Sequence, residues 1–135
     1  MIIRKAKFSE IKQIKRLIDS FKEMDVIGDT FSEKYYGRIL KKGILLVALE
    51  NTILVGVCFG TYNIKEKWAD LVGLGVKENF RKKGIGSSLV KEFEKIIRNK
   101  KLKTIDLYAD KTELRLFNRL GYKQGRTYTA FRKKF

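Results

Sequence analysis

Residues 71–93 read LVGLGVKENFRKKGIGSSLVKEF, and the meaning of this stretch decides the fold. Its first part closes a hydrophobic segment, WADLVGLGV (68–76), that predicts a strand. Glycine weakens a strand, so Gly73 and Gly75 inside it point to a bulge, to the close approach of a ligand, or to tight packing. Its last part, Gly84 to Arg98, carries Ile85, Leu89, Phe93 and Ile96 or Ile97 at helical spacing. Between strand and helix lies RKKGIGSS. Gly84 and Gly86 let backbone N–H groups converge on one point, and the positive end of the helix dipole adds to them. Ser87 and Ser88 supply hydroxyls in the first turn, and Arg81, Lys82 and Lys83 bring cationic charge to the same loop. The sum is an anion site, most naturally one for a pyrophosphate.

Spacing excludes two familiar phosphate loops. A Walker loop needs GxxxxGK[ST], which occurs nowhere in the chain. A dinucleotide fingerprint needs GxGxxG, but from Gly73 the sequence is GLGVKE, with Glu78 in the place of the third glycine.

Working outward, IIRKAK (2–7) opens as a strand. A helix follows from Phe8 to Phe21, with Ser9 as its cap. Asp25 to Thr30 reads as a loop, and a second helix runs from about Ser32 to Lys42, ended by Gly43. ILLVALE (44–50) and ILVGVCFGT (53–61) flank Asn51–Thr52 and predict a hairpin. Beyond the central helix come a short buried strand, TIDLY (104–108), and a helix from Thr112 to Leu120. Paired strands near Tyr122 to Gln124 and Tyr128 to Phe131 complete the reading. The order is β-α-α-β-β-β-α-β-α-β-β, an α/β arrangement with a mixed sheet. The strand–helix–strand unit makes strand 68–76 and TIDLY parallel neighbours. Residues 1–135 form one expected domain.

Composition narrows the chemistry. Thirty-one basic residues against 15 acidic ones give a formal charge of +16, which attracts polyanions without choosing among them. The absence of histidine excludes Ser–His and Cys–His nucleophilic pairs and histidine metal sites. The single cysteine, Cys58, lies between Val57 and Phe59 and reads as core, so no metal site is expected. MIIRKAKFSEIK lacks the features of a secretory signal, and no apolar run reaches membrane-spanning length. A cytoplasmic protein without membrane contact is the expectation.

The string R-x-x-G-x-G, present as Arg81, Gly84 and Gly86, resembles the acetyl-CoA signature of the GNAT superfamily of N-acetyltransferases. The hairpin LLVALENTILVG before it and LRLFNRLGY (114–122) after it are similar to that family's flanking elements, so the likeness spans nearly the whole chain. The resemblance implies acetyl-CoA as cosubstrate. Leu74, Gly75 and Val76 would pair with pantetheine and stabilise the thioester oxyanion. Amides from Arg81 to Ser87 (Arg81, Lys82, Lys83, Gly84, Ile85, Gly86, Ser87) would hold the pyrophosphate. An acceptor amine would attack directly, without an acyl-enzyme.

The resemblance also exposes a departure. Phe117 stands where the family usually has a proton-donating tyrosine; it is read as packing on the coenzyme, leaving water, Tyr108 or Tyr122 as donor. Asp70 is the candidate base, with an ordinary strand-start charge as the alternative; Glu78 reads as solvated. Tyr35 and Tyr36 could line the acceptor site, although core packing is the safer reading. The implied partner is a primary amine on a protein lysine, a protein N-terminus or a small molecule, and the basic surface leans towards a protein or an acidic small molecule. A non-catalytic acetyl-CoA-binding module, and a nucleic-acid- or ribosome-associated protein acting through non-specific charge, are the competing functions. Monomer and homodimer both remain open.

Overall fold

The computed structural model describes residues 1–21, 31–111 and 113–135. Five strands form one sheet in the order β1 (Ile2–Lys5), β2 (Ile44–Glu50), β3 (Ile53–Asn63), β4 (Trp68–Val76) and β5 (Thr104–Asp106). Neighbours are antiparallel except β4 and β5, which are parallel with Trp68 opposite Thr104 and Asp70 opposite Asp106. The expected crossover through α3 (Ile85–Asn99) is therefore present. The hairpin between β2 and β3 turns at Asn51 and Thr52, with φ of 48° and 69°. Both lie in the left-handed region that two-residue hairpin turns require, even without glycine.

Helices cover both faces. α1 (Ile11–Asp19) and α2 (Glu33–Lys42) pack Ile14, Leu17, Ile18, Tyr36 and Ile39 against Leu45, Val47, Val57 and Phe59. α3 packs Ile85, Leu89, Val90, Phe93 and Ile97 on the other face, against Leu46, Val55, Cys58, Ala69 and Leu71. β2 and β3 send side chains into both apolar cores, with a bulge near Val55 that shifts the alternation of β3, which explains why both strands read as continuous hydrophobic runs. Cys58 is fully buried in the second core, where desolvation pushes its thiol pKa up, in keeping with a packing role. Tyr36 is fully buried in the first and Tyr35 half-buried beside it, so core packing holds for this pair.

Several expectations need correction. Ser32 caps α2 by accepting a hydrogen bond from the Tyr35 N–H at 3.1 Å, but Ser9 caps nothing. The chain instead enters α1 through a 3-10 turn, Phe8–Glu10, where the Glu10 carboxylate accepts from the Lys7 N–H at 2.7 Å and pairs with Arg4 at 2.8 Å. A carboxylate that reaches back three residues satisfies the N–H of the residue that enters the turn, the carboxylate half of a capping box. β5 is three residues long and mostly exposed, not a buried TIDLY strand. The helix expected over 112–120 is the shorter α4 (Leu114–Arg119), with Thr112 outside the described residues. The two C-terminal strands are not formed: residues 122–135 carry no regular structure, and all but Tyr122 are exposed. Their apolar residues are too few and too far apart to cover a sheet face. The loop expected at Asp25 to Thr30 lies outside the described residues.

Candidate functional site

β4 outruns its partner. The β4–β5 ladder ends at Asp70 and Asp106, while β4 continues to Val76. Its phase along that open stretch follows from one bond, Lys77 N–H to the Val55 carbonyl at 2.8 Å. Backbone groups alternate sides along an antiparallel strand. Gly73 and Gly75 therefore turn theirs to β3, opposite Phe59 and Val57, and Leu74 and Val76 turn theirs to the open side. The Val76 carbonyl is taken by Arg81 Nε at 2.9 Å. What stays exposed at the edge is the N–H and C=O of Leu74 and the N–H of Val76, a ladder ready for an extended amide-bearing ligand.

The two β4 glycines have a packing cause. A Cβ on Gly73 would overlap the Phe59 ring, and one on Gly75 would overlap the Phe21 ring. The register slips by one residue between these positions and Leu71, leaving Val72 as the extra, exposed residue of a bulge. Bulge and aromatic lids together shape the strand end.

Beyond Val76 a 3-10 turn, Glu78–Phe80, leads to the basic loop. Lys82 has φ of 62° and Gly84 φ of 83°, so the backbone twice enters the left-handed region before α3 begins. Such reversals aim successive amides inward. The first helical hydrogen bond runs from Ser88 N–H to the Gly84 carbonyl at 3.0 Å, and no side chain caps the helix. The N–H groups of Ile85, Gly86 and Ser87 therefore lack intrahelical acceptors. A Cβ at Gly84 would meet nothing within 4 Å, so the space beside the turn at that residue is open. Lys82 and Lys83 are exposed, with Lys83 Nζ 5.4 Å from the Phe80 ring centre. On the inner flank, a Cβ at Gly86 would sit 3.8 Å from Val76 and 4.0 Å from Leu116, which brings α4 against the mouth of the cradle.

Asp70 occupies the fork itself. Ala69 and Leu71 belong to the α3-side core, so Asp70 points to the α1–α2 face. Burial, and then the neighbouring Asp106, raise its pKa above the ordinary carboxylate value. Farther along the same face, a groove of about 750 Å³ opens between α1 and the exit of β4. Arg16, Lys77, Glu78 and Arg81 stand around it over a floor of Leu17, Phe21 and Leu54.

Tyr122 and Phe117 lie on the opposite face. They meet edge-on with ring centres 5.4 Å apart, and Phe117 is closed into the α3-side core. The residue of α4 beside the cradle is Leu116. The Tyr122 hydroxyl is buried without a hydrogen-bond partner, and burial, followed by the nearby Glu94 carboxylate, raises its pKa, keeping it protonated. Tyr108 is exposed and stacks edge-on with Tyr128. Leu74, Gly75, Val76 and residues 81–87 thus form one continuous edge and turn. Asp70 and Tyr122 flank it from the two faces of the sheet without meeting.

Sequence reasoning missed Asp106, Leu116 and the groove cations Arg16 and Lys77. Asp106 was within reach, because parallel pairing of β4 with β5 sets it beside Asp70. Nothing local marks Arg16 among so many basic residues. Among the described residues no group of three metal-binding side chains forms a metal site, and no helix is long and apolar enough to cross a membrane.

Known structures share this architecture. A transcriptional regulator from Bacillus halodurans C-125 superposes with a TM-score of 0.82 at 21% identity, over 98% of this chain and 99% of that one. An aminoglycoside acetyltransferase from an uncultured soil metagenomic sample, in complex with sisomicin, gives 0.72 at 18% identity over 98% and 96%. An aminoglycoside N-acetyltransferase in complex with CoA gives 0.76 at 14% identity over 99% and 100%. No curated protein matches the sequence. These identities show the fold alone, but a protein-family model, that of the acetyltransferase (GNAT) family, matches residues 11–122 directly. The strand edge, the basic turn and both helical faces all fall within that span, and the chain belongs to the GNAT family of acetyltransferases.

Proposed function

We propose that this chain is an acetyl-CoA-dependent N-acetyltransferase acting on a primary amine by direct attack. The observation that carries the reading is the row of open amides at the start of α3, continuous with the unpaired edge of β4. The residues present fit the coenzyme. Ile85, Gly86 and Ser87 N–H groups, Lys82 and Lys83 would hold the pyrophosphate, with Gly84 leaving the room it needs. Leu74 and Val76 would pair with the pantetheine amides.

Acetyl-CoA supplies the activated acyl group when bound. The chain's own part is positioning and proton handling. An edge N–H of Leu74 or Val76 offers a fixed dipole to developing negative charge, an effect commonly worth about 3 kcal/mol. Asp70, with its raised proton affinity, accepts the proton of the incoming ammonium on the α1–α2 face. Tyr122 holds a proton at Oη on the other face, where Phe117 cannot. Release of free thiol from acetyl-CoA, followed across an amine panel, tests the reading. Native chain that binds the coenzyme yet acetylates no amine refutes it.

A second reading, a coenzyme-binding module without catalysis, is favoured by one observation: Phe117 and the Tyr122 hydroxyl are both closed into the core. The same assay separates the two, since the module binds acetyl-CoA and releases no thiol.

A further inference from the structure

We propose that the acceptor is an amine that also carries an anionic group, a phosphate or a carboxylate, and that the groove between α1 and the β4 exit holds this anion. The inference rests on the N-acetyltransferase reading and names its substrate class. The groove lies on the face that Asp70 shares, away from the α3 side, so a molecule seated there reaches β4 from the side opposite α3 and α4.

Its charge is one-sided. Among the described lining residues, Arg16, Lys77 and Arg81 stand with a single carboxylate, Glu78. Arg81 is already committed in part, with Nε on the Val76 carbonyl and its guanidinium 5.7 Å from the centre of the Phe21 ring. That anchoring fixes one positive plane at the rim. Arg16 and Lys77 approach from α1 and from the strand exit, where a phosphate or carboxylate can take charge-assisted bonds from two directions. Ser20 and Gln13 add neutral polar groups beside them. The apolar floor of Leu17, Phe21 and Leu54 suits the short carbon skeleton between anion and amine.

The same arithmetic argues against a polycation. A ligand such as sisomicin, bound by one of the structurally similar enzymes, carries several ammonium groups. It would meet like charge at this groove on a chain with a net charge of +16. An anionic amine is instead steered in by that field.

The test uses a matched pair, O-phosphoethanolamine and ethanolamine, titrated into the full chain by calorimetry with and without saturating CoA. Phosphoethanolamine is expected to bind the CoA-saturated chain at least about tenfold more tightly than ethanolamine. Arg16→Gln and Lys77→Gln should each remove most of that difference. Both side chains are exposed, so neither variant threatens folding. Equal binding of the two amines, or no change in Arg16→Gln, overturns the proposal. So does competition between CoA and phosphoethanolamine, which would assign the cations to the coenzyme's own phosphates. If CoA itself fails to bind, the coenzyme reading falls separately. The titrations of free chain and Arg16→Gln then still decide the groove, because a phosphate held by the α3 amides does not sense Arg16.

Discussion

Replacing Gly84 by glutamate tests the centre of the site. Gly84 sits at φ 83° immediately before α3, with open space where a side chain would project. A non-glycine residue held there costs about 1–2 kcal/mol of backbone strain. The larger effect is on the ligand. A carboxylate in that space competes for the Ile85, Gly86 and Ser87 amides and repels the pyrophosphate. Each charge-assisted bond contributes about 1.5–3 kcal/mol, so losing two of three weakens acetyl-CoA at least about 100-fold. Gly84→Asn is the control, because asparagine tolerates left-handed backbone and adds no charge; its affinity should stay within about tenfold of native. Calorimetric titration with acetyl-CoA gives the affinities, and a thermal melt of each variant confirms folding. The reasoning is refuted if native chain shows no saturable binding, or if a folded Gly84→Glu binds within about threefold of it.

Other substitutions probe the remaining parts. Gly75→Ala should destabilise by about 1–3 kcal/mol through overlap with the Phe21 ring, and pairing it with Phe21→Leu should recover part of that in a melting experiment. Asp70→Asn should lower turnover about 100-fold while leaving acetyl-CoA affinity unchanged, as measured by thiol release and calorimetry. The same variant should be more stable than native at neutral pH, by roughly 0.2–1 kcal/mol and towards the low end because Asp106 is exposed. The sign follows from linkage: a carboxyl whose folded pKa is raised stabilises below that pKa and loses the benefit as pH rises through it. The gap in melting temperature between Asp70→Asn and native should therefore widen from about pH 3 towards pH 7 and close again in acid. Tyr122→Phe deletes a buried, unpartnered hydroxyl, so stability should hold or rise slightly; a fall in turnover of about tenfold or more would mark Tyr122 Oη as the proton donor, and unchanged turnover would assign that task to water.

The fold was legible where periodicity and turn chemistry agreed. α2 begins after Ser32, whose hydroxyl cap leaves a short-range mark, and ends at Gly43, which sits at φ −122° with the Gly60 carbonyl where a side chain would start. The parallel pairing of β4 and β5 follows from the strand–helix–strand order alone. The cradle was equally legible, since glycines, basic residues and helix start sit within eight positions of one another. Elsewhere the deciding contacts are remote in sequence. At the entry to α1 the hydrogen-bonding side chain is Glu10 and not Ser9, and Arg4, on the preceding strand, holds its carboxylate. The reason for Gly73 and Gly75 lies in the rings of Phe59 and Phe21, one on the neighbouring strand and one beyond the end of α1. The groove draws on α1, β3 and the β4 exit, so no local window could reveal it.

Under the proposed function, these remote contacts let one strand serve two ligands. A strand offers its backbone in the plane of the sheet and its side chains to either face. Along β4 the plane is free only after Asp70, where β5 stops, and there Leu74 and Val76 present hydrogen-bonding groups to the open side. The face towards α1 and α2 would ordinarily be filled by side chains at positions 73 and 75. Glycine at both leaves that surface to be covered by Phe59 and Phe21, whose rings come from other elements; the Phe21 ring also lines the groove on the α1 side. Coenzyme and acceptor can then approach the same backbone stretch from different directions, which direct transfer requires. A side chain larger than hydrogen at either position forces a ring aside and roughens the shared surface. The two glycines are thus a packing feature whose consequence is access, and the packing and ligand explanations for them coincide.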